Sequence, residues 1–308
     1  MKKSAVKYGS VILAMIFWSF SFIWFKIANE TFRPLTVVFI RLMISVILLS
    51  IVISLTRKRI TIKKEDRKFF FLLAFFEPFL YFLGESFGLT YVTATTGSVI
   101  ISTIPVIVAI GACILYREKL RAINYVGIIV SFIGILVFIL NRDGSLSFDI
   151  RGILLLTFAV FSAVGYNLTL NWLVGSYDPV YIVNIQNMIG ALLFLPIFMI
   201  TDFRHFINTP FHIKHLVPVI ELAAFASCAA FILFAYSVKH MGISKANVFT
   251  NCVPIFTAIF SFFVLGDRMT VQNIAGMIIV ITGLFMSQIN GRIKKSGEAM
   301  IPTGKTTT

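Results

Sequence analysis

Glu77, Tyr81 and Glu85 recur every four residues inside 69–89, a run that is otherwise almost wholly apolar. A helix puts that spacing on one face. Ionisable groups surrounded by hydrocarbon are costly, so they turn toward protein or water and carry a role. Two chemistries fit them. One glutamate holds the amine of a bound molecule or relays a proton, or the carboxylates neutralise a cation for structural reasons. Arg41, isolated in the apolar run 35–55, is the available cation, and a structural pairing role is expected of it. Glu85 stands nearer the end of its run, where water is a further partner.

A second constellation is polar without charge. Ser98, Ser102 and Pro105 fall at i, i+4 and i+7, and Asn247, Asn251 and Pro254 repeat that spacing 149 residues later. A proline inside a helix removes a donor, frees a carbonyl and kinks the chain. Two readings stay open: a cavity wall that binds a small molecule, or small polar residues joining helices. The asparagines favour the cavity. Trp18, deep in its run, and Tyr166 and Asn167 are further cavity candidates, whereas Asn184, Gln186 and Asn187 are expected to bond helix to helix. No metal site is expected. His205, His212 and His215 read as solvated loop residues, and Cys113, Cys228 and Cys252 read as small buried hydrophobes without paired spacing. No catalytic residue and no cofactor is expected either. A phosphate-binding glycine-rich loop is missing from the sequence, so nucleotide hydrolysis is not the expected energy source.

The elements that carry these residues are apolar runs of membrane-spanning length. The chain is 58% hydrophobic and 13% charged, with a mean hydropathy of +0.93, against about 25% charged in soluble domains. Ten runs approach the ~20 residues that a spanning helix needs: 8–28, 35–55, 69–89, 94–115, 122–140, 151–172, 180–200, 216–238, 244–265 and 271–289. They are continuously apolar rather than alternating, which excludes a β-barrel. The first is too long for a signal peptide and reads as a retained span. The fold expected is therefore an all-α integral membrane protein of ten transmembrane helices.

The net charge of +14 resides in short loops, where the positive-inside rule explains it better than a nucleic-acid partner does. With the N-terminus in the cytoplasm, 19 of the 27 basic residues fall on the cytoplasmic side and 7 outside, leaving Arg41 within a span. Both termini are expected inside, in a multi-pass protein of the bacterial inner (plasma) membrane.

The chain also repeats. Pro254, Asp267, Asn273, Gly276 and Gly283 fall on Pro105, Glu118, Asn124, Gly127 and Gly134, and with a small drift Pro179 and Gln186 fall on Pro34 and Arg41. Five spans per copy is odd, so the copies run through the membrane in opposite directions. Inverted repeats with a shared midplane site are typical of secondary transporters. The expected organisation is 1–141 for the first five-helix repeat, 142–291 for the second and 292–308 for a basic cytoplasmic tail.

The blocks Tyr91-Val-Thr-Ala-Thr-Thr-Gly-Ser-Val-Ile…Pro105…Arg117-Glu118-Lys119-Leu120…Gly127…Gly134 and Gly242-Ile-Ser-Lys-Ala-Asn-Val…Pro254…Gly266-Asp267-Arg268-Met269…Gly276…Gly283 resemble the EamA repeat of the drug/metabolite transporter superfamily. That resemblance implies ten spans, a central cavity between the halves, and export of amino acids, metabolites or drugs. Arg117 stands where the repeat usually has glycine and Asp267 where it has glutamate; the pair Glu77 and Glu85 is a further departure. The Glu118 and Asp267 turns are expected to cap the helices that follow. The function expected is a secondary transporter, an exporter of small metabolites such as amino acids working by alternating access. Its partners are small-molecule cargo, the lipid bilayer and a coupling ion such as H+, with no nucleic acid. The alternative is a membrane-embedded flippase or enzyme acting on a lipid-linked substrate, for which the basic loop 57–68 would bind anionic headgroups.

Overall fold

A computed structural model of the protein describes residues 2–56, 61–108, 121–139, 149–210 and 213–287. Cys113, the Arg117, Glu118 and Lys119 turn, Arg142, His212 and the tail 292–308 lie outside the described residues. So do the far ends of the fourth, fifth and tenth expected spans. The described residues are helical and contain no strand. Seven helices are long and apolar enough to cross a membrane: α1 (Val6–Ala28), α2 (Pro34–Thr56), α3 (Lys64–Tyr91), α6 (Ile150–Leu173), α7 (Pro179–Thr201), α8 (Ile213–Met241) and α9 (Lys245–Val264). Three shorter apolar helices, α4 (Ala94–Val108), α5 (Ala122–Phe138) and α10 (Val271–Ser287), occupy the remaining expected positions. Their outward faces are apolar; Phe161 is 60% exposed and Leu192 62%. Only lipid accommodates such a surface.

Local chemistry sets the ends. Thr93 accepts from the Thr96 amide, Asp149 from Arg151 and Asp178 from Val180, each satisfying an orphan donor at a helix start. Proline breaks helices where the repeat placed it. In α4 the helix stops at Ile101 and resumes beyond Thr103, one turn before Pro105. In α9 the turn Phe249–Cys252 tightens to 3-10 geometry, and a fresh helix starts at Val253 with Pro254 in its first turn. In α3 the residue before Pro78 is Glu77, with φ −147° and ψ 119°. A proline ring crowds the preceding residue out of helical geometry, so α3 widens over Phe75–Leu80. Its counterpart α8 widens over Leu222–Ala230.

The two repeats interlock rather than sit side by side. α1 packs on α8 and α9, and correspondingly α6 packs on α3 and α4; α2 meets α7, α4 meets α9, and α5 meets α10. The last pair shows the two-fold relation atom by atom. Asn124 Nδ2 donates to the Ser287 carbonyl at 2.8 Å, and Asn273 Nδ2 to the Phe138 carbonyl at 2.9 Å. A Cβ on Gly127 would stand 2.3 Å from the Ser287 backbone nitrogen, and one on Gly283 2.3 Å from that of Ser131. Only glycine permits this approach, the close packing typical of membrane helices.

Contacts at the helix ends sort into two mouths. At one, Tyr177 donates to Asp66 Oδ2 at 2.5 Å, the Lys63 amide donates to Tyr177, and Lys239 Nζ donates to the Tyr177 carbonyl. At the other, Thr36 and Arg33 meet Asp202, Thr31 and Glu30 meet His215, and Lys26 donates to the Leu89 carbonyl. Each group joins ends that a strictly alternating ten-helix path puts on one side.

Candidate functional site

One cavity lies between the repeats, enclosing about 670 Å³ of atom-free space, part of it open to the outside. It is walled by α1, α2, α3 and α4 of the first repeat and α6, α8 and α9 of the second. Each wall residue is placed by a local feature. The break at Glu77 turns that carboxyl out of the helix. The break is seated by Ser162, whose hydroxyl donates to the Phe76 carbonyl at 2.6 Å, and by Gly165, where a Cβ would come within 2.6 Å of the Phe76 ring. Regular helix resumes at Tyr81, and Tyr81 and Glu85 stand one turn apart with the hydroxyl donating to the carboxylate at 2.9 Å. Glu85 is 8% exposed and lines the cavity.

Arg41 also faces the cavity. Its Nε donates to Ser227 Oγ at 2.9 Å, and its guanidinium lies 4.2 Å from the Phe82 ring centroid. Among the described residues it makes no ion pair. The Ser227 carbonyl in turn accepts from Asn187, which also bonds Ser45, tying α2, α7 and α8 behind the cavity. Glu77 is 7% exposed and has no hydrogen bond or ion pair among the described residues.

Of the residues singled out from the sequence, Trp18, Glu77, Tyr81, Glu85, Ser102, Tyr166, Asn167 and Asn247 come together in this cavity. Asn247 Nδ2 donates to Asn167 Oδ1 at 3.1 Å, joining α9 to α6. Ser98 and Asn251 do not line it. Ser98 is buried, with its hydroxyl donating to the Thr95 carbonyl at 2.7 Å, and Asn251 is buried in the 3-10 turn. That turn has three residues per turn rather than 3.6. It rotates Asn251 off the Asn247 face and brings Thr250 into the cavity instead. Pro105 and Pro254 are buried at the breaks and do not touch the cavity.

Sequence reasoning missed Ser21, Phe22, Phe231 and Phe234. The first two lie three and four residues beyond Trp18 and were legible as its helix face. The two phenylalanines, packed 5.3 and 5.0 Å from Trp18, resemble any lipid-facing pair in sequence. Asp267 does not cap α10 as expected; it takes the Ser261 hydroxyl of α9, while Thr270 accepts the Asn273 amide. The string Gly84-Glu85-Ser86-Phe87-Gly88 has the spacing of a hydrolase nucleophile elbow, but it sits in the uninterrupted helix Tyr81–Tyr91, not at the strand-to-helix turn that chemistry needs.

The model of the EamA-like transporter family matches residues 7–140 and 150–288. An uncharacterized transporter of Archaeoglobus fulgidus is 24% identical over 280 residues, covering 91% of this chain and 98% of that relative. The uncharacterized transporter YetK of Bacillus subtilis is 25% identical over 297 residues, covering 94% and 88%. A crystal structure with 12% identity superposes with a TM-score of 0.69 over 92% of this chain and 98% of the other, which shows a shared fold.

Proposed function

This chain belongs to the EamA-like transporter family and is a membrane transporter, not an enzyme, and from that premise we propose that it is a secondary carrier working by alternating access. The observation that carries the reading is the cavity itself, walled by both repeats and holding buried Glu77, Glu85, Asn167 and Asn247. A buried polar pocket at a repeat interface is where inverted-repeat carriers bind cargo. Its charged, amide and aromatic walls suit small amphipathic metabolites; amino acids are among the cargoes that the family resemblance implies. Export is the direction the family resemblance implies. A gradient of cargo or of an ion such as H+ drives the cycle.

Residues 1–141 and 142–291 form the two repeats, with 292–308 as the tail. The excess of basic residues in alternate loops supports a reading with both termini in the cytoplasm, for a protein of the inner (plasma) membrane. A thermal-shift screen of the purified protein against metabolite classes, followed by flux of the best ligand in proteoliposomes, tests the carrier reading. Saturable flux that Glu77→Gln diminishes is the expected result, and tight binding without flux overturns it.

A further inference from the structure

The charge of this cavity is unevenly shared. Arg41, Glu77 and Glu85 all come from the first repeat, and among the described residues the second contributes only neutral groups to the lining. The two carboxylates are not equivalent. Glu85 holds the Tyr81 hydroxyl at 2.9 Å, and Glu77 holds no protein donor among the described residues. The cavity thus holds two carboxyls and one guanidinium, and Glu77 is the carboxyl without a protein partner among the described residues. Its carboxyl is more than nine-tenths buried, lines the cavity, and has no protein hydrogen bond or ion pair among the described residues. A buried carboxylate without a partner costs several kcal/mol, a cost that a proton or a positive group from outside the chain relieves.

The surroundings say what kind. Tyr166 lies within electrostatic reach of Glu77 and packs edge-on against Phe231 at 5.9 Å, and Phe231 and Phe234 both pack on Trp18. Aromatic faces attract a cation and shelter an apolar body.

We propose that the cargo is an amphipathic amine of net charge +1, its ammonium docked on Glu77 and its apolar body against the Trp18, Tyr166, Phe231 and Phe234 rings. This narrows the carrier reading above and rests on it. An ammonium brings three donors to a carboxylate that has none. A zwitterion fits worse, because its carboxylate adds a third anion near Glu77 and Glu85. Arg41, the one cation lining the cavity among the described residues, has its Nε on Ser227 and its face on Phe82.

The test is calorimetric binding of three matched compounds to the purified full-length protein: 2-phenylethylamine, phenylalanine and 3-phenylpropionate. The amine should bind at least tenfold more tightly than the amino acid, and the acid should show no saturable binding. Glu77→Gln should weaken the amine at least tenfold, and Glu77→Asp, which keeps the charge, should weaken it less. The proposal is overturned if the amino acid or the acid matches the amine, if Glu77→Gln binds the amine unchanged, or if none of the three binds. Should Glu77→Gln fail to fold, the ranking of the three compounds on the unaltered protein still decides. Parallel flux separates this proposal from the carrier reading. Phenylalanine flux insensitive to Glu77→Gln removes the amine and keeps the carrier, whereas amine binding without flux overturns the carrier reading and with it the amine as cargo.

Discussion

Arg41 shows how a buried charge is tolerated without a direct ion pair. Its planar guanidinium lies on Phe82 and its Nε is held by Ser227. A stacked, directional arrangement of this kind is not transferable to lysine, whose ammonium is a compact, strongly hydrated point charge. Arg41→Lys keeps the charge and loses both the stack and the Nε donor. The expected cost is about 1–3 kcal/mol, read as a lower unfolding temperature in detergent. An unchanged unfolding temperature means the guanidinium plane is not what holds the residue. The charge was visible in the sequence because an arginine inside an apolar run is conspicuous. Its partner was not, because Ser227 lies 186 positions away on another helix and looks like any small residue.

At the scale of the helix, what the sequence made legible was what regular geometry preserves. The ten apolar runs, the glycines of α5 and α10, and the Tyr81–Glu85 pair all follow from length, size and 3.6-residue periodicity. What escaped was what proline perturbs. The Asn247–Asn251 face assumed a regular helix, but the tight turn before Pro254 broke that register and exchanged Asn251 for Thr250. The break at Glu77 likewise follows from its proline neighbour and aims the carboxyl in a way that periodicity does not predict. The glycines give a sharp contrast in tolerance. Gly127→Ala drives a methyl into the backbone of α10 and should cost about 1–3 kcal/mol, the usual range for overpacking. Gly9→Ala meets nothing within 4 Å and should be neutral or stabilise by up to about 1 kcal/mol, because alanine is the better helix former. Thermal unfolding of the two variants side by side checks the pair; equal effects mean that α5 and α10 do not pack this closely.

For the molecule as a whole, inverted repeats make the two mouths structural equivalents that need not use the same chemistry. Carried across the repeat, Asp66 falls on His215 with the offset of 149, and Tyr177 falls on Phe32 with the offset of 145. Neighbouring positions latch the two mouths: Asp66 to Tyr177 at one, and His215 to Thr31 and Glu30, next to Phe32 in the chain, at the other. A carrier that alternates access breaks one set while keeping the other, so each latch sets the relative stability of two states. Tyr177 is 5% exposed, its hydroxyl bonds both Asp66 and the Lys63 amide, and Asp66 is itself buried. Tyr177→Phe keeps the ring against Phe70 and removes only the oxygen, leaving Asp66 without that donor. Losing a hydrogen bond to a buried charged group costs about 1.5–3 kcal/mol. The balance should therefore shift about tenfold or more toward the state in which this mouth is open. A single cysteine at Thr250, which lines the cavity, with Cys113, Cys228 and Cys252 replaced by alanine, reports that opening. In the Tyr177→Phe background, an impermeant thiol reagent applied from the Asp66 side should label it several-fold faster, and applied from the other side more slowly. Equal rates from both sides would show that the Tyr177 contact fastens a loop and gates nothing.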